Sequence, residues 1–269
     1  MNELLDKLHS HHLNALLEAD RLCKKHNIRY YLVTGTLLGA VRHKGFIPWD
    51  DDLDIGLLRP DYERFLQVAQ TELSDRFFLQ TNATDPEYFL CYAKIRVNGT
   101  RFVEESSQNC NIHHGVYIDI FPLDNAPDQP ALRRLHAFTT RLLSTAVKAK
   151  SKMVVSKNRK GTGLVYNLLK ILTAPFRLGT LVKGMDKLMT ISKNNSSECI
   201  VNINSAYSYA KECVKRSYFE STVELDFEGY KMSCPAGWHG YLTDVYRDYM
   251  TPPPEDKRYN RHSAVEYDL

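Results

Sequence analysis

Acidic and aliphatic side chains alternate through Asp52-Leu53-Asp54-Ile55-Gly56-Leu57, directly after Trp49-Asp50-Asp51. Successive side chains of a strand point to opposite faces. A strand here sends Leu53 and Ile55 into the core and turns Asp52 and Asp54 to one side together. Two adjacent carboxylates repel each other unless a cation lies between them. Mg²⁺ takes hard oxygen ligands, commonly one or two carboxylates plus substrate phosphates. An Asp cluster by itself is more often a solvated surface turn. The aliphatic residues at 53, 55 and 57 weigh against that reading, and so does a second feature upstream.

That feature is Thr34-Gly35-Thr36, which follows the β-branched and aromatic run Ile28-Arg29-Tyr30-Tyr31-Leu32-Val33. The run reads as a strand entering a tight turn. Gly35 would let backbone N–H groups approach a phosphate closely, and the Thr36 hydroxyl would add a hydrogen bond. Glycine after a strand is usually only a turn. Its weight here comes from its place shortly before Asp52 and Asp54.

Around these motifs the periodicity predicts an amphipathic helix over 2–27, a short helix over 37–41 and a helix over 60–73. Strands are predicted over 77–80, 88–97 and 115–121, and later at Tyr218-Phe219 and 223–230. Thr251-Pro252-Pro253-Pro254 reads as a stiff extended piece leading to Lys257, Arg258, Arg261 and His262. Asp119, within Val116-Tyr117-Ile118-Asp119-Ile120-Phe121, is flanked by apolar residues that argue for burial. A buried Asp needs a partner. Metal or catalytic duty is one solution, and a structural salt bridge is the other.

Several cations are candidates to meet phosphate. Arg42, His43 and Lys44 follow the first motif, and Lys94 and Arg96 alternate with Ile95 and Val97 so that both face one side. The second pair could equally be the polar face of a half-exposed strand. His113 and His114 read as loop residues, and no ligand role is assigned to them.

Residues 131–195 differ from the rest. They hold fourteen Lys and Arg against one acid, Asp186, whereas the whole chain is only +3. Leu, Ile, Val and Met are threaded between the cations, so the segment reads as helical rather than as a solvated basic tail. The division expected is a catalytic core over 1–130, a basic helical insert over 131–195 and a part over 196–269 that completes the catalytic domain.

The six cysteines form no CxxC pair and no zinc spacing, which favours reduced thiols and a cytoplasmic location. The N-terminal MNELLDKLHSHH has no secretory pattern. The longest apolar stretch, 164–176, is interrupted by Lys170 and Pro175 and falls short of the ~20 residues needed to span a bilayer.

The order strand, Gly-Thr turn, short helix and Asp-x-Asp strand is similar to that of the nucleotidyltransferase superfamily. The stretch from Gly35-Thr36-Leu37-Leu38-Gly39-Ala40-Val41-Arg42-His43-Lys44-Gly45-Phe46 to Ile47-Pro48-Trp49-Asp50-Asp51-Asp52-Leu53-Asp54-Ile55 resembles the signature of LicD-type phosphocholine transferases, a family that includes the fukutin-like enzymes. Tyr92-Ala93-Lys94-Ile95-Arg96, Gly115-Val116-Tyr117-Ile118-Asp119-Ile120-Phe121-Pro122-Leu123-Asp124 and, more loosely, 241–262 resemble later blocks of that family.

The resemblance implies an α+β, nucleotidyltransferase-like fold with a mixed central sheet, carrying the basic insert. It implies transfer of a phospho-alcohol group, phosphocholine from CDP-choline, to a sugar hydroxyl, with release of CMP. The acceptor implied is a cell-surface glycan such as lipopolysaccharide or teichoic acid, or its lipid-linked precursor. Asp52 and Asp54 would hold Mg²⁺ or Mn²⁺, and Asp119 would be a third ligand or the base. Gly35 and Thr36 would seat the diphosphate, with Arg42, His43, Lys94 and Arg96 as counter-charges. A quaternary ammonium needs an aromatic box; Trp49, Tyr117 and Trp238 are candidates, although aromatics are more often core.

Two other readings stand beside this one: an NTP-dependent nucleotidyltransferase acting on a small molecule, and a non-catalytic membrane-bound scaffold. Ribitol or glycerol could replace choline. The insert is expected to touch an anionic membrane surface at the inner face, with 164–189 as its docking helix, or else to cover the active site as a basic flap. Nucleic acid is not an expected partner, since no recognition motif is present.

Overall fold

The computed structural model describes residues 3–154, 162–192, 197–259 and 264–269. In chain order the elements begin with α1 (Glu3–Lys25), β1 (Tyr31–Leu32), α2 (Thr34–His43), β2 (Asp54–Leu58), α3 (Arg59–Glu72), β3 (Phe77–Gln80), β4 (Ala93–Val97), β5 (Arg101–Glu104) and β6 (Tyr117–Asn125). Three helices follow: α4 (Pro130–Lys150), α5 (Thr162–Leu172) and α6 (Leu178–Met189). The chain closes with β7 (Cys199–Val201), α7 (Tyr209–Glu212), β8 (Cys213–Lys215), β9 (Thr222–Phe227), β10 (Tyr230–Pro235), α8 (Trp238–Tyr246) and β11 (Ala264–Asp268).

The main sheet runs β1-β2-β6-β4-β3, and β7 pairs with β6 and carries β8. β2 and β6 are parallel, while β1–β2, β6–β4 and β4–β3 are antiparallel. The architecture is α+β with a mixed central sheet, as the resemblance implied.

Register decides where the polar residues lie. Asp54 pairs with Asp119, Asp119 with Lys94, and Lys94 with Gln80. Directly paired residues share a face, so one polar row crosses four strands. Ile55, Ile120, Ile118 and Ile95 alternate away from that row. They join the main core with Leu16 and Leu22 of α1 and Phe65 of α3.

Several local expectations change. The first strand is shorter than 28–33, because Thr34-Gly35-Thr36 is the opening turn of α2 rather than a loop before it. β2 begins at Asp54, so Asp52 precedes the strand instead of alternating within it. Only 93–97 of the stretch 88–97 is strand; Tyr88 and Phe89 lie before it and are buried. Tyr218-Phe219 is a 3-10 turn, because Phe219 plugs the core from the side. The run 223–230 is split by a hairpin at Glu228-Gly229, where φ is 50° and 81°. Two successive positive φ values suit a tight hairpin, and Gly229 takes its one without strain.

The basic segment is helical where it is described. α4 packs against both α5 and α6. Arg59 fastens the insert to the core: Nε and Nη2 reach the two Asp124 oxygens at 2.7 Å each, and Nη1 reaches Asp186 Oδ1 of α6 at 2.9 Å. Among the described residues no helix is long and apolar enough to cross a membrane.

Candidate active site

Asp54 stands at the first position of β2, and its surroundings are built by the start of α2. Thr34 Oγ1 donates to Asp54 Oδ2, and the Asp54 N–H donates to Thr36 Oγ1 at 2.8 Å. Thr36 is thus occupied with the Asp54 backbone. Asp54 Oδ1 is buried without a hydrogen-bond partner. Burial pushes the Asp54 carboxyl well above the usual carboxylate range, and the nearby Asp52 and Asp119 push it in the same direction. The Thr34 hydrogen bond opposes them.

Thr34 has φ 48°. A β-branched residue in the left-handed region is strained. Its N–H donates to the Tyr241 hydroxyl at 3.3 Å, so α8 helps to hold it. Motif reasoning concentrated on Gly35 and Thr36 and missed Thr34 and Tyr241. The hydroxyl at 34 was visible beside the Asp-x-Asp motif; Tyr241, some 200 residues later, was not linked to it by any local signal.

Asp119 faces Asp54 across the parallel strands. Lys94 Nζ lies 2.7 Å from Asp119 Oδ1, an ion-pair contact without hydrogen-bond alignment. The Tyr92 hydroxyl donates to Oδ2 at 3.3 Å. Burial lowers the Lys94 pKa and the Asp119 charge raises it. Lys94 also sits 3.2 Å from the Tyr117 ring centroid, with the Arg96 guanidinium at 4.4 Å. Tyr117 therefore presents its π-system to this chain's own cations. Arg96 is buried and donates to Gln80 Oε1 at 2.7 Å and to the Gly115 carbonyl at 2.8 Å. These bonds make Arg96 a strut of the site wall.

A cavity of about 170 Å³ opens beside Asp119, with Tyr88, Tyr92, Lys94, Arg96, Glu104 and Tyr117 in its wall. The Tyr88 hydroxyl is buried without a partner. A larger cavity of about 320 Å³ lies at the opposite ends of β2 and β6, by Leu58 and Asn125. Its principal charges, Arg59 and Asp124, already neutralise each other, so the smaller cavity is the one joined to the carboxylates.

Gly35 is approached from outside: a Cβ there would lie 2.8 Å from Asp50 Oδ2. The space expected for a phosphate thus borders a carboxylate of the motif itself. Arg42, His43 and Trp49 gather at the far end of α2. Arg42 Nε donates to His43 Nε2 at 3.0 Å and its Nη1 to the Tyr249 carbonyl at 2.9 Å. His43 meets Trp49 edge to face at 6.1 Å. The Arg258 guanidinium lies 5.2 Å from the Trp49 ring, so the C-terminal part adds a second arginine to the group. Burial and Arg258 lower the Arg42 pKa, and Asp50 opposes them. Arg261 and His262 lie outside the described residues.

Among the described residues no three His, Cys, Asp or Glu side chains form a ready-made cation cage. Mg²⁺ does not need one, because it completes its shell with water and substrate phosphate. The unpartnered Asp54 Oδ1, in the field of Asp52 and Asp119, is the electron-rich deficit that a hard cation would fill. Asp52 and Asp54 therefore fit Mg²⁺ or Mn²⁺. The counter-charge on Asp119 is already supplied by Lys94.

A mixed sheet with a carboxylate at the head of its parallel pair, braced by the first turn of the preceding helix, defines a protein of the nucleotidyltransferase fold class. The family model described as LicD/FKTN/FKRP, nucleotidyltransferase domain, matches residues 27–141. The chain is 29% identical over 264 residues to the lipopolysaccharide cholinephosphotransferase LicD of Haemophilus influenzae, covering 96% of this chain and 95% of that protein. It is 36% identical over 66 residues to the human ribitol 5-phosphate transferase FKRP, covering 23% of this chain and 13% of that one. An uncharacterised Rickettsia typhi protein is 53% identical over 51 residues, 19% of this chain and 16% of that one. Over residues 27–141 the chain is similar to the LicD family, and its similarity to the LicD protein of Haemophilus influenzae runs along nearly its whole length.

Proposed function

We propose that this chain is a phospho-alcohol transferase acting on a glycan, and that it moves phosphocholine from CDP-choline to a sugar hydroxyl. The observation that carries the chemistry is the buried, unpartnered Asp54 oxygen in the field of Asp52 and Asp119. Similarity along nearly the whole length to a cholinephosphotransferase supports choline over ribitol, since the ribitol 5-phosphate transferase matches only a short stretch. The same relative supports a lipopolysaccharide-type acceptor. All six cysteines are free thiols, which supports a reducing, cytoplasmic compartment.

The acceptor oxygen forms a bond to the phosphorus of the phosphocholine group. The bond from that phosphorus to the bridging oxygen breaks, and CMP departs with the electron pair. Such transfers depend on in-line placement and on neutralising the phosphate oxygens. Asp52 and Asp54 would hold Mg²⁺ or Mn²⁺, which when bound draws charge from the phosphate oxygens. Thr34 and Thr36 fix the Asp54 carboxylate and backbone. Arg42 and Arg258, beside Trp49, offer cations to the donor's phosphates. The pair Asp119 and Lys94 borders the cavity where the acceptor hydroxyl would lie, with Asp119 as the destination of its proton.

The test is incubation with Mg²⁺ and, in turn, CDP-choline, CDP-ribitol and CDP-glycerol, with and without lipopolysaccharide-type oligosaccharide. CMP release with CDP-choline that depends on the glycan, together with a phosphocholine mass increment on the glycan, is expected. Release of pyrophosphate from an NTP with nucleotide added to a small molecule would overturn the reading. So would inertness toward every CDP-alcohol.

A further inference from the structure

The helices of the basic insert are apolar on the outside. On α5, Leu164, Val165, Leu168, Ile171 and Leu172 are all exposed, Leu164 by 82% and Ile171 by 71%. Their spacing places them on a single helix face. The opposite side of α5 meets the protein: Leu169 packs with Ala146 and Ala149 of α4, and the Tyr166 hydroxyl donates to the Lys148 carbonyl at 3.3 Å. The helix thus turns its less apolar side to its own fold and its more apolar side outward. Phe176, just beyond α5, is 49% exposed and extends that surface. A second stripe, Leu132, Leu135, Phe138 and Leu142, is exposed along α4 at the same kind of spacing.

The charges nearby share one sign. Lys170, Arg177, Lys183 and Lys187 are exposed, and among the described residues none of them has a salt bridge to an acid. The one acid of the segment, Asp186, pairs with Arg59 instead. Lys157 and Lys160 of the same basic segment lie outside the described residues. An apolar helix face with unneutralised cations at its edge matches the headgroup boundary of an anionic bilayer, where the chain contacts hydrocarbon and lipid charge together. A second copy of this chain is a poorer occupant, because it would bring the same excess of cations against this one.

We propose that α5 and Phe176 seat the protein on an anionic lipid surface, with Lys170 and Arg177 at the headgroups. The seated insert is joined to the reaction site. Val147 of α4 and Leu181 of α6 pack with Phe89, and both Phe89 and Met153 line the cavity beside Asp119. A glycan acceptor carried on a lipid would approach that cavity along the insert. This last consequence rests on the transferase reading; the docking face does not.

Vesicle flotation of the whole protein tests the proposal without any turnover. The vesicles are phosphatidylcholine alone or phosphatidylcholine mixed with phosphatidylglycerol, at low and high salt. Binding is expected to the anionic vesicles only and should weaken with salt. Lys170→Glu and Arg177→Glu should each weaken it about fivefold or more, from the energy of one cation at an anionic leaflet. Leu168→Glu with Ile171→Glu should abolish it. Circular dichroism checks folding, and if the apolar pair disturbs the helix the two charge variants carry the test. No binding at low salt, or binding indifferent to all four substitutions, overturns the proposal. So does a dimer, seen by light scattering, that the apolar variant converts to monomer. CMP release from CDP-choline with a soluble oligosaccharide acceptor and no vesicles should be unchanged in these variants, so a failed transferase reading and a failed docking face give different results.

Discussion

The Thr34 hydroxyl donates to Asp54 Oδ2, which leaves Asp54 Oδ1 as the buried carboxylate oxygen without a hydrogen-bond partner. The arrangement is held from both directions. The Asp54 N–H donates to Thr36, and the Thr34 N–H donates to Tyr241. Thr34 keeps a positive φ at a cost of ~1–3 kcal/mol, which persists only where surrounding contacts over-determine it.

Asp54→Asn should abolish transfer, as should Asp52→Asn, because each removes charge from a site suited to a cation. For Asp54 the stability change is equally diagnostic. Its carboxyl is raised on folding by burial, by Asp52 and by Asp119. The folded state then binds the proton more readily, so stability falls as pH climbs out of the usual carboxylate range. In EDTA, Asp54→Asn should therefore raise the Tm at pH 8 and have little effect at pH 4. Mg²⁺ should raise the wild-type Tm but not that of the variant. A metal-independent Tm in the wild type, with full activity retained in Asp54→Asn, would remove the assignment.

Thr34→Ala should lower kcat/KM by about tenfold or more, the equivalent of ~1.5 kcal/mol for a hydrogen bond to a charged group. Thr34→Ser keeps the hydroxyl and should stay near wild type. The comparison separates the hydrogen bond from the backbone strain, since only the alanine variant loses the donor. Equal activity in both variants would make the contact incidental.

Lys94 and Asp119 can be tested as structure and as chemistry in one set. Lys94→Met leaves Asp119 buried beside Tyr92 without its cation, at a cost of ~3–5 kcal/mol. Asp119→Asn should lower turnover at least ~10²-fold, the scale of a lost general base. The double variant Lys94→Met, Asp119→Leu removes both charges and should recover most of the thermal stability without recovering turnover. Restored turnover in the double variant would make the pair purely structural. Tm and the rate per folded molecule are to be measured on the same preparation.

Much of this site can be read locally. Asp54 was identifiable because β2 has an unbroken apolar pattern after it, and Asp119 because isoleucines flank it on β6. Lys94 and Arg96 were identifiable as sharing a face. Their partners were not, because Asp119, Gln80 and Gly115 reach them only through strand pairing. Asp52 was read into the strand because alternation continues through it, yet β2 starts two residues later. The pairing of β5 with β11 joins segments more than 150 residues apart and has no local signature. The outward apolar face of α5 is also hidden from periodicity, which finds a stripe but not the side on which the protein lies.

Glu212 gives the clearest pH test away from the carboxylate row. It lies on α7, is 2% exposed, and accepts a hydrogen bond from Ser205 Oγ at 2.5 Å. Burial pushes its carboxyl from 4.5 up to about 7, against the opposing effects of Ser205 and Lys211. Between those two values the folded state holds a proton that the unfolded state has released. Stability is therefore lost as pH rises from 4.5 to about 7 and changes no further above that through this group. Glu212→Gln keeps the shape and removes the titration. Its unfolding free energy should match wild type near pH 4.5 and exceed it at pH 8 by on the order of 3 kcal/mol, following ~1.4 kcal/mol per pH unit. Urea unfolding of both proteins at half-unit pH steps measures the difference. Parallel curves across that window would show that Glu212 is ionised in the fold and that its neighbours, rather than a proton, balance its charge.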